Sequence, residues 1–339
     1  MDAWMYIILF FIVLFSYIHI QKQWKIEHDT EIYEYEYTSL KQLQSTCEYK
    51  QPIIFVLNVP KPNFDIGTMQ VKDTRDKRGD LSIGSISLSF ENTKNLIQSD
   101  TNSAFYSDKN NISIIQHTDC KKWFHKLESL LKPQFTMNVE YDMLYGSRKT
   151  QTIPQFHHES HTFLYLPRET NRTYIRLKMI STKYNKYLKP YHDYVNYEFT
   201  SNMNLFNMEN FPYSSIDVLV KPGHVVFIPA YWYYSIEFQD KDTEICMIKF
   251  TTIANACAHL KHYCLYYLQQ YNVQEKWWKP LQNIDVNLML EEPDDETDYN
   301  QDNNHDNDND KNVDSTEKVK SEQTIVENLV EQLSIKDDN

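Results

Sequence analysis

The chain opens on its longest uninterrupted apolar run. Residues 3–20, AWMYIILFFIVLFSYIHI, contain no acidic or basic side chain apart from His19. At ~1.5 Å per residue such a helix spans about 27 Å, close to the thickness of a bilayer core. Trp4, Tyr6, Tyr17 and Trp24 fall where interfacial aromatics sit. Met1-Asp2-Ala3 offers no basic residue and no small-residue cleavage site follows, so the segment reads as a transmembrane anchor and not a cleaved signal peptide. Lys22 and Lys25 lie after the span and Asp2 before it, which places the large C-terminal part in the cytosol. Residues 21–37, charged and tyrosine-rich, read as a linker.

From residue 38 the periodicity shortens. A helix is predicted over 38–48, capped by Thr38 or Ser39, with Leu40 and Leu43 on one face. Residues 58–80 and 91–111 read as loops, and 81–90, LSIGSISLSF, alternates as a half-buried strand does. A second helix is predicted over 119–132, with Asp119 as cap, Trp123, Leu127, Leu130 and Leu131 at helical spacing, and Pro133 as its stop. Strands follow at 135–145, 156–166, 173–181, 216–221, 224–238 and 244–253, then a helix over 254–271. The globular domain is expected over 38–285. Residues 291–323 are acidic and nearly free of core residues, which predicts disorder. Residues 324–336 carry Ile325, Val326, Leu329, Val330 and Leu333 on one stripe of a short amphipathic helix.

Charge changes this picture little. Residues 291–339 hold 17 acidic and 4 basic side chains, which accounts for the whole net charge of −13, and residues 1–290 are neutral. A nucleic-acid partner is therefore not expected. Five scattered cysteines suit free thiols in a reducing compartment.

The most informative stretch is Ile216–Phe238, IDVLVKPGHVVFIPAYWYYSIEF: an alternating strand, a Pro222-Gly223 turn, a β-branched run closed by Pro229, and aromatics at 231–234. It resembles the JmjC/cupin-like proteins, where Pro-Gly leads into Ile-Pro-x-x-Trp-x-His. Here Ile228-Pro229-Ala230-Tyr231-Trp232-Tyr233-Tyr234 follows that pattern, with Tyr234 in place of the histidine. Together with Asp193-Tyr194-Val195-Asn196-Tyr197-Glu198-Phe199, it is most similar to the membrane-anchored cupin-like proteins of giant DNA viruses and some of their protist hosts. The resemblance implies a mainly β fold, a double-stranded β-helix (cupin/JmjC-like jelly roll) with flanking helices, preceded by one transmembrane helix in a host membrane or virion.

Active members hold Fe(II) on His-x-Asp/Glu and a distal His, with open positions for 2-oxoglutarate and oxygen. His157 and Glu159 are two apart, so on a strand they face one side and stand as the candidate metal pair, with Tyr234 at the third position. A neutral phenol with a pKa near ~10 replaces imidazole poorly at pH 7. Arg176 and Lys178 are the candidate cations for a 2-oxoglutarate carboxylate. Cys257, His259, His262 and Cys264 spread around one helix and cannot enclose a zinc ion. Two readings follow: a non-catalytic binding or structural module with a degraded iron site and a protein partner, which is preferred, or an Fe(II)/2-oxoglutarate-dependent hydroxylase acting on a protein with an altered triad.

Overall fold

The computed structural model describes residues 3–61, 66–74, 85–168, 174–201, 203–207, 214–241 and 243–275. The predicted acidic tail at 291–323 and amphipathic helix at 324–336 lie outside these residues, as does the end of the domain predicted to reach 285.

The first half of the chain runs α1 (Ala3–Trp24), β1 (Tyr33–Tyr35), α2 (Leu40–Cys47), β2 (Ile53–Val56), β3 (Thr68–Asp73), β4 (Ser85–Ser89), α3 (Phe90–Ser99), β5 (Phe105–Asp108), α4 (Asn111–Gln116), α5 (Thr118–Leu131) and β6 (Thr136–Gly146). The second half runs β7 (His161–Tyr165), β8 (Ile175–Ser181), a 3-10 turn (Thr182–Tyr184), α6 (Asn185–Leu188), β9 (Pro190–Asp193), β10 (Glu198–Ser201), β11 (Ile216–Val220), β12 (His224–Pro229), β13 (Trp232–Phe238), β14 (Glu244–Thr252), α7 (Ile253–Ala258) and α8 (Leu260–Glu275). This is a mixed α and β fold with one large sheet and one apolar N-terminal helix.

Nine strands form the large sheet in the order β1-β2-β12-β7-β14-β6-β5-β3-β4. A second sheet, β11-β8-β13, faces it, and the bridges Gln151↔Glu237, Gln155↔Tyr234 and Gln155↔Thr200 carry that sheet on toward the β10-β9 pair. From β6 onward the chain shuttles between layers: β6 large, residues 151–155 small, β7 large, β8 and β11 small, β12 large, β13 small, β14 large. Strand alternation then sorts the side chains. Leu144, Leu164, Val226, Ile228, Ile245 and Met247 of the large sheet meet Leu177, Met179, Trp232, Ile236 and Phe238 between the layers. The opposite face of the large sheet, with Phe163, Tyr165, Phe227 and Ile248, is covered by Leu43 of α2 and by Trp123, Phe124 and Leu127 of α5.

Several expectations shift. The run 224–238 is two strands in different sheets. Pro229 ends β12, Tyr231 takes a left-handed backbone (φ 66°), and its N–H donates to the His157 carbonyl at 3.0 Å. The expected loop at 91–111 contains α3, whose Ser89 cap accepts from the Asn92 N–H and whose Thr93, Leu96 and Ile97 are buried. The expected loop at 58–80 contains β3, and the expected linker contains β1, paired with β2 in parallel. Ser39 caps α2, one of the two expected candidates, but His117 holds the N-cap position of α5, with Asp119 in its first turn and not at its cap.

The helix α1 continues past residue 20 to Trp24. Among the described residues, Trp4–Trp24 is the one helix long and apolar enough to cross a membrane. Its C-terminal end is fixed to the domain. The Lys50 ammonium donates to the carbonyls of Lys22 (2.6 Å), Gln23 (2.8 Å) and Lys25 (3.0 Å), groups that a helix end leaves without partners. The Trp24 indole N–H donates to the Ala258 carbonyl at 3.3 Å.

Gly146, at the end of β6, is required by its neighbour. A Cβ there would lie 2.2 Å from a ring carbon of Phe238, a fully buried side chain. Gly146→Ala should lower stability by about 1–3 kcal/mol through overpacking, and Phe238→Leu in the same chain should recover part of that loss. Thermal unfolding of the single and double variants, followed by circular dichroism, checks this.

Candidate functional site

The segment Gln155–Ser160 is not the strand expected at 156–166; β7 begins only at His161. Neighbours nevertheless pin its backbone. Gln155 exchanges both backbone hydrogen bonds with Tyr234 (3.0 and 2.9 Å), and the Phe156 N–H donates to Phe199 at 3.0 Å. The His158 carbonyl accepts from Asn255 Nδ2 at 2.8 Å. The five residues Phe156–Ser160 thus run as irregular chain across the end of the sandwich: His157 faces Tyr234 of β13, Phe156 packs on Phe199 and Tyr233, and His158 faces His259 and His262 at the α7–α8 corner.

The structure brings His157, Glu159 and Tyr234 together. His157 Nε2 lies 2.5 Å from the Tyr234 hydroxyl, and His157 Nδ1 lies 3.8 Å from a Glu159 carboxylate oxygen. Gln155 Nε2 donates to the same hydroxyl at 3.0 Å. A phenol has one proton, so the network assigns it: Tyr234 accepts from Gln155 and donates to His157 Nε2, which leaves the imidazole proton on Nδ1, facing Glu159. Met247 Sδ, 3.7 Å from the hydroxyl, closes the remaining side.

Burial decides the charge states. It pushes His157 well below the usual histidine range, helped by Lys249 and Lys109. It pushes Tyr234 well above the usual phenol range, helped by Asp142 and Asp108. It raises Glu159, with Glu140 adding to the effect and Lys249 opposing it. Lys249 itself loses hydration, but Glu140 and Glu159 outweigh that loss and hold it charged. The donor set does not fit Fe(II). The histidine nitrogen facing the centre is taken by a phenol, and that phenol resists giving up its proton. Among the described residues no group of three His, Cys, Asp or Glu side chains is placed to hold a metal ion.

Arg176 and Lys178 do not reach this site. On β8 they alternate with Leu177 and Met179, which point between the sheets, so the two cations lie on the outer face. There Arg176 grips Asp217 through Nε at 2.9 Å and Nη2 at 2.6 Å, with Glu237 3.7 Å away. The expected carboxylate anchor is thus corrected: a strand with two basic residues two apart turned its charges outward.

Two groupings escape the sequence. The first is a buried charge network beside the site. Lys72 bonds to Asp108 (3.2 Å) and Glu198 (3.1 Å), Lys109 also pairs with Glu198, and Asp142 accepts from the N–H groups of Lys109 (2.9 Å) and Asn110 (2.8 Å). Its members come from β3, β5, β6 and β10, and Lys72 sat in an expected loop; only Glu198, within the Asp193–Phe199 motif, carried a signal. The second is a histidine stack. His158 lies 4.7 Å from the His259 ring and 4.4 Å from the His262 ring, centroid to centroid. The Tyr231 hydroxyl bonds to His259 Nε2, and the Tyr194 hydroxyl lies 2.9 Å from His262 Nδ1. Cys257 and Cys264 are exposed.

No protein-family model matches the chain, and no curated protein matches it.

The stacked histidines make stability pH-dependent. Burial, then His259 and His262, pushes His158 down to about 2, and burial pushes His259 down to about 4. Both folded values lie below the ~6.5 of an unfolded histidine. As the pH falls through ~6.5 the unfolded chain takes up protons that the folded chain refuses, so stability present at neutral pH is lost on acidification. The expected slope is about 1.4 kcal/mol per pH unit for each such histidine. Unfolding midpoints should therefore drop between pH 7 and pH 5, and His259→Gln should flatten the dependence.

Proposed function

We propose that this chain is a membrane-anchored, double-stranded β-helix domain that serves as a non-catalytic binding module for a protein partner. The observation that carries this reading is the hydrogen bond between the Tyr234 hydroxyl and His157 Nε2 at 2.5 Å. The phenol occupies the position where an active member would offer an imidazole, and a second hydrogen bond from Gln155 holds it there.

The double-stranded β-helix is supported by the strand order. Four antiparallel strands, β6-β14-β7-β12, lie in the large sheet, and residues 151–155, β13, β8 and β11 oppose them. Successive segments alternate between these layers as two wound hairpins would. The anchor is supported by α1, exposed along nearly its whole length and apolar enough to span. With Lys22 and Lys25 following it, the domain faces the cytosol, on a host membrane or virion of the kind the giant-virus resemblance implies. A hydroxylase would need the third ligand and a free cation for 2-oxoglutarate, whereas Arg176 is committed to Asp217 on the outer face and the buried Lys249 is paired with Glu140.

Metal titration of the full chain in detergent, with Fe(II) or Mn(II) under anaerobic conditions and with or without 2-oxoglutarate, tests this reading. Wild type should show no saturable binding. Tyr234→His should bind one ion, and His157→Ala added to it should abolish the binding. Saturable binding of one ion by wild type, lost in His157→Ala, would overturn the reading in favour of the hydroxylase. A Tyr234→His variant that binds nothing would remove the idea of a decayed iron site.

A further inference from the structure

We infer that the domain also touches the bilayer directly, through an apolar patch of Phe135, Met137 and Ile253 at the foot of α1. This inference rests on the reading of α1 as a membrane span.

Phe135 is 77% exposed, Met137 62% and Ile253 53%, high values for side chains this apolar outside α1. Phe135 also sits at φ 55°, a left-handed backbone that a bulky side chain adopts only at a cost. A glycine or asparagine would relieve that cost, so an exposed phenylalanine there points to a use for its ring. Phe135 and Ile253 are tied together, and Met137 follows two residues after Phe135 at the start of β6. The Ile253 N–H donates to the Phe135 carbonyl at 3.0 Å, which ties the turn before β6 to the start of α7.

Its position selects the partner. α7 packs against α1, and Ala258, the last residue of α7, accepts from the Trp24 indole. Within α1, Ile20 and Gln23 are the residues shielded by the domain, so the contact lies at the end of the apolar stretch. Six residues of helix measure about 9 Å, so Ile253 is within about that distance of Ala258 along the axis. That is comparable to the depth of the headgroup layer flanking a bilayer core, about 5–8 Å on each side. Lys50 fixes the end of α1 through three carbonyls, so the patch keeps its height relative to the span. An aromatic ring, a thioether and an isoleucine held at that level match the boundary between headgroups and acyl chains.

Nitroxide accessibility in the full chain tests the inference. The exposed Cys257 and Cys264 are changed to serine, while the buried Cys47, Cys120 and Cys246 stay. Single labels are placed at Leu9→Cys in α1, at Met137→Cys and Ile253→Cys in the patch, and at Leu219→Cys, an exposed position on β11. Each protein is reconstituted in phosphatidylcholine/phosphatidylserine vesicles and saturated in the presence of oxygen or a water-soluble nickel chelate. The expected result is an oxygen-to-nickel ratio at 137 and 253 several-fold above that at 219 and below that at 9. A lipid signature at 9 with a nickel-accessible 137 and 253 would overturn the patch and leave the span intact. Protection of 137 and 253 from both reagents would mean a second protein copy covers them, and would overturn it too. A nickel-accessible label at 9 would remove the span, and the patch with it.

Discussion

Two sheets can close over a shared interior only if the polar groups trapped between them satisfy one another. An unpaired buried polar group costs roughly as much as several buried methylenes contribute, so the closed end of the sandwich sets the terms for the rest. Lys72, Lys109 and Lys249 meet Asp108, Glu198 and Glu140 there, while Asp142 is held by backbone N–H groups. The hydrogen bonds from Gln155 through Tyr234 to His157 solve the same problem without charge. A neutral phenol and a neutral imidazole are the protonation states that burial favours, and each supplies what the other lacks.

How much of this was legible depended on the range of the interaction. His157, Glu159 and Tyr234 could be named together because a motif preserves order and spacing. The nature of their contact could not, because it depends on a backbone that leaves strand geometry at Phe156 and on an imidazole whose tautomer a distant glutamine helps set. Arg176 and Lys178 looked equally well placed by position, yet Leu177 and Met179 outcompete them for the interior. The network around Lys72 left almost no trace, since its residues lie up to 126 positions apart and each alone looks like an ordinary surface charge.

The fold shows the same division. α1, α2 and α5 follow from local apolar periodicity, and β14 from a long apolar run. The element α3 was hidden because a ten-residue helix with three buried side chains makes too brief a stripe to rise above its polar background. The break between β12 and β13 was signalled by Pro229, but an apolar run on both sides of it looked continuous. Only the pairing partners, β7 on one side and β8 on the other, separate the two strands.

That break has a consequence for how the gene can change. Tyr233 and Tyr234 are neighbours in sequence but belong to different compartments, the first packed with Phe156 and Phe199 outside the sandwich and the second between the sheets. The corner at Ala230–Tyr231 sets which is which. Loss or gain of one codon between that corner and Tyr233 would move the two tyrosine positions to opposite faces and turn every later side chain of β13 inside out. Changes of residue identity are local events in this strand, whereas changes of length are global ones. In this strand a change of length therefore reaches further than a change of residue.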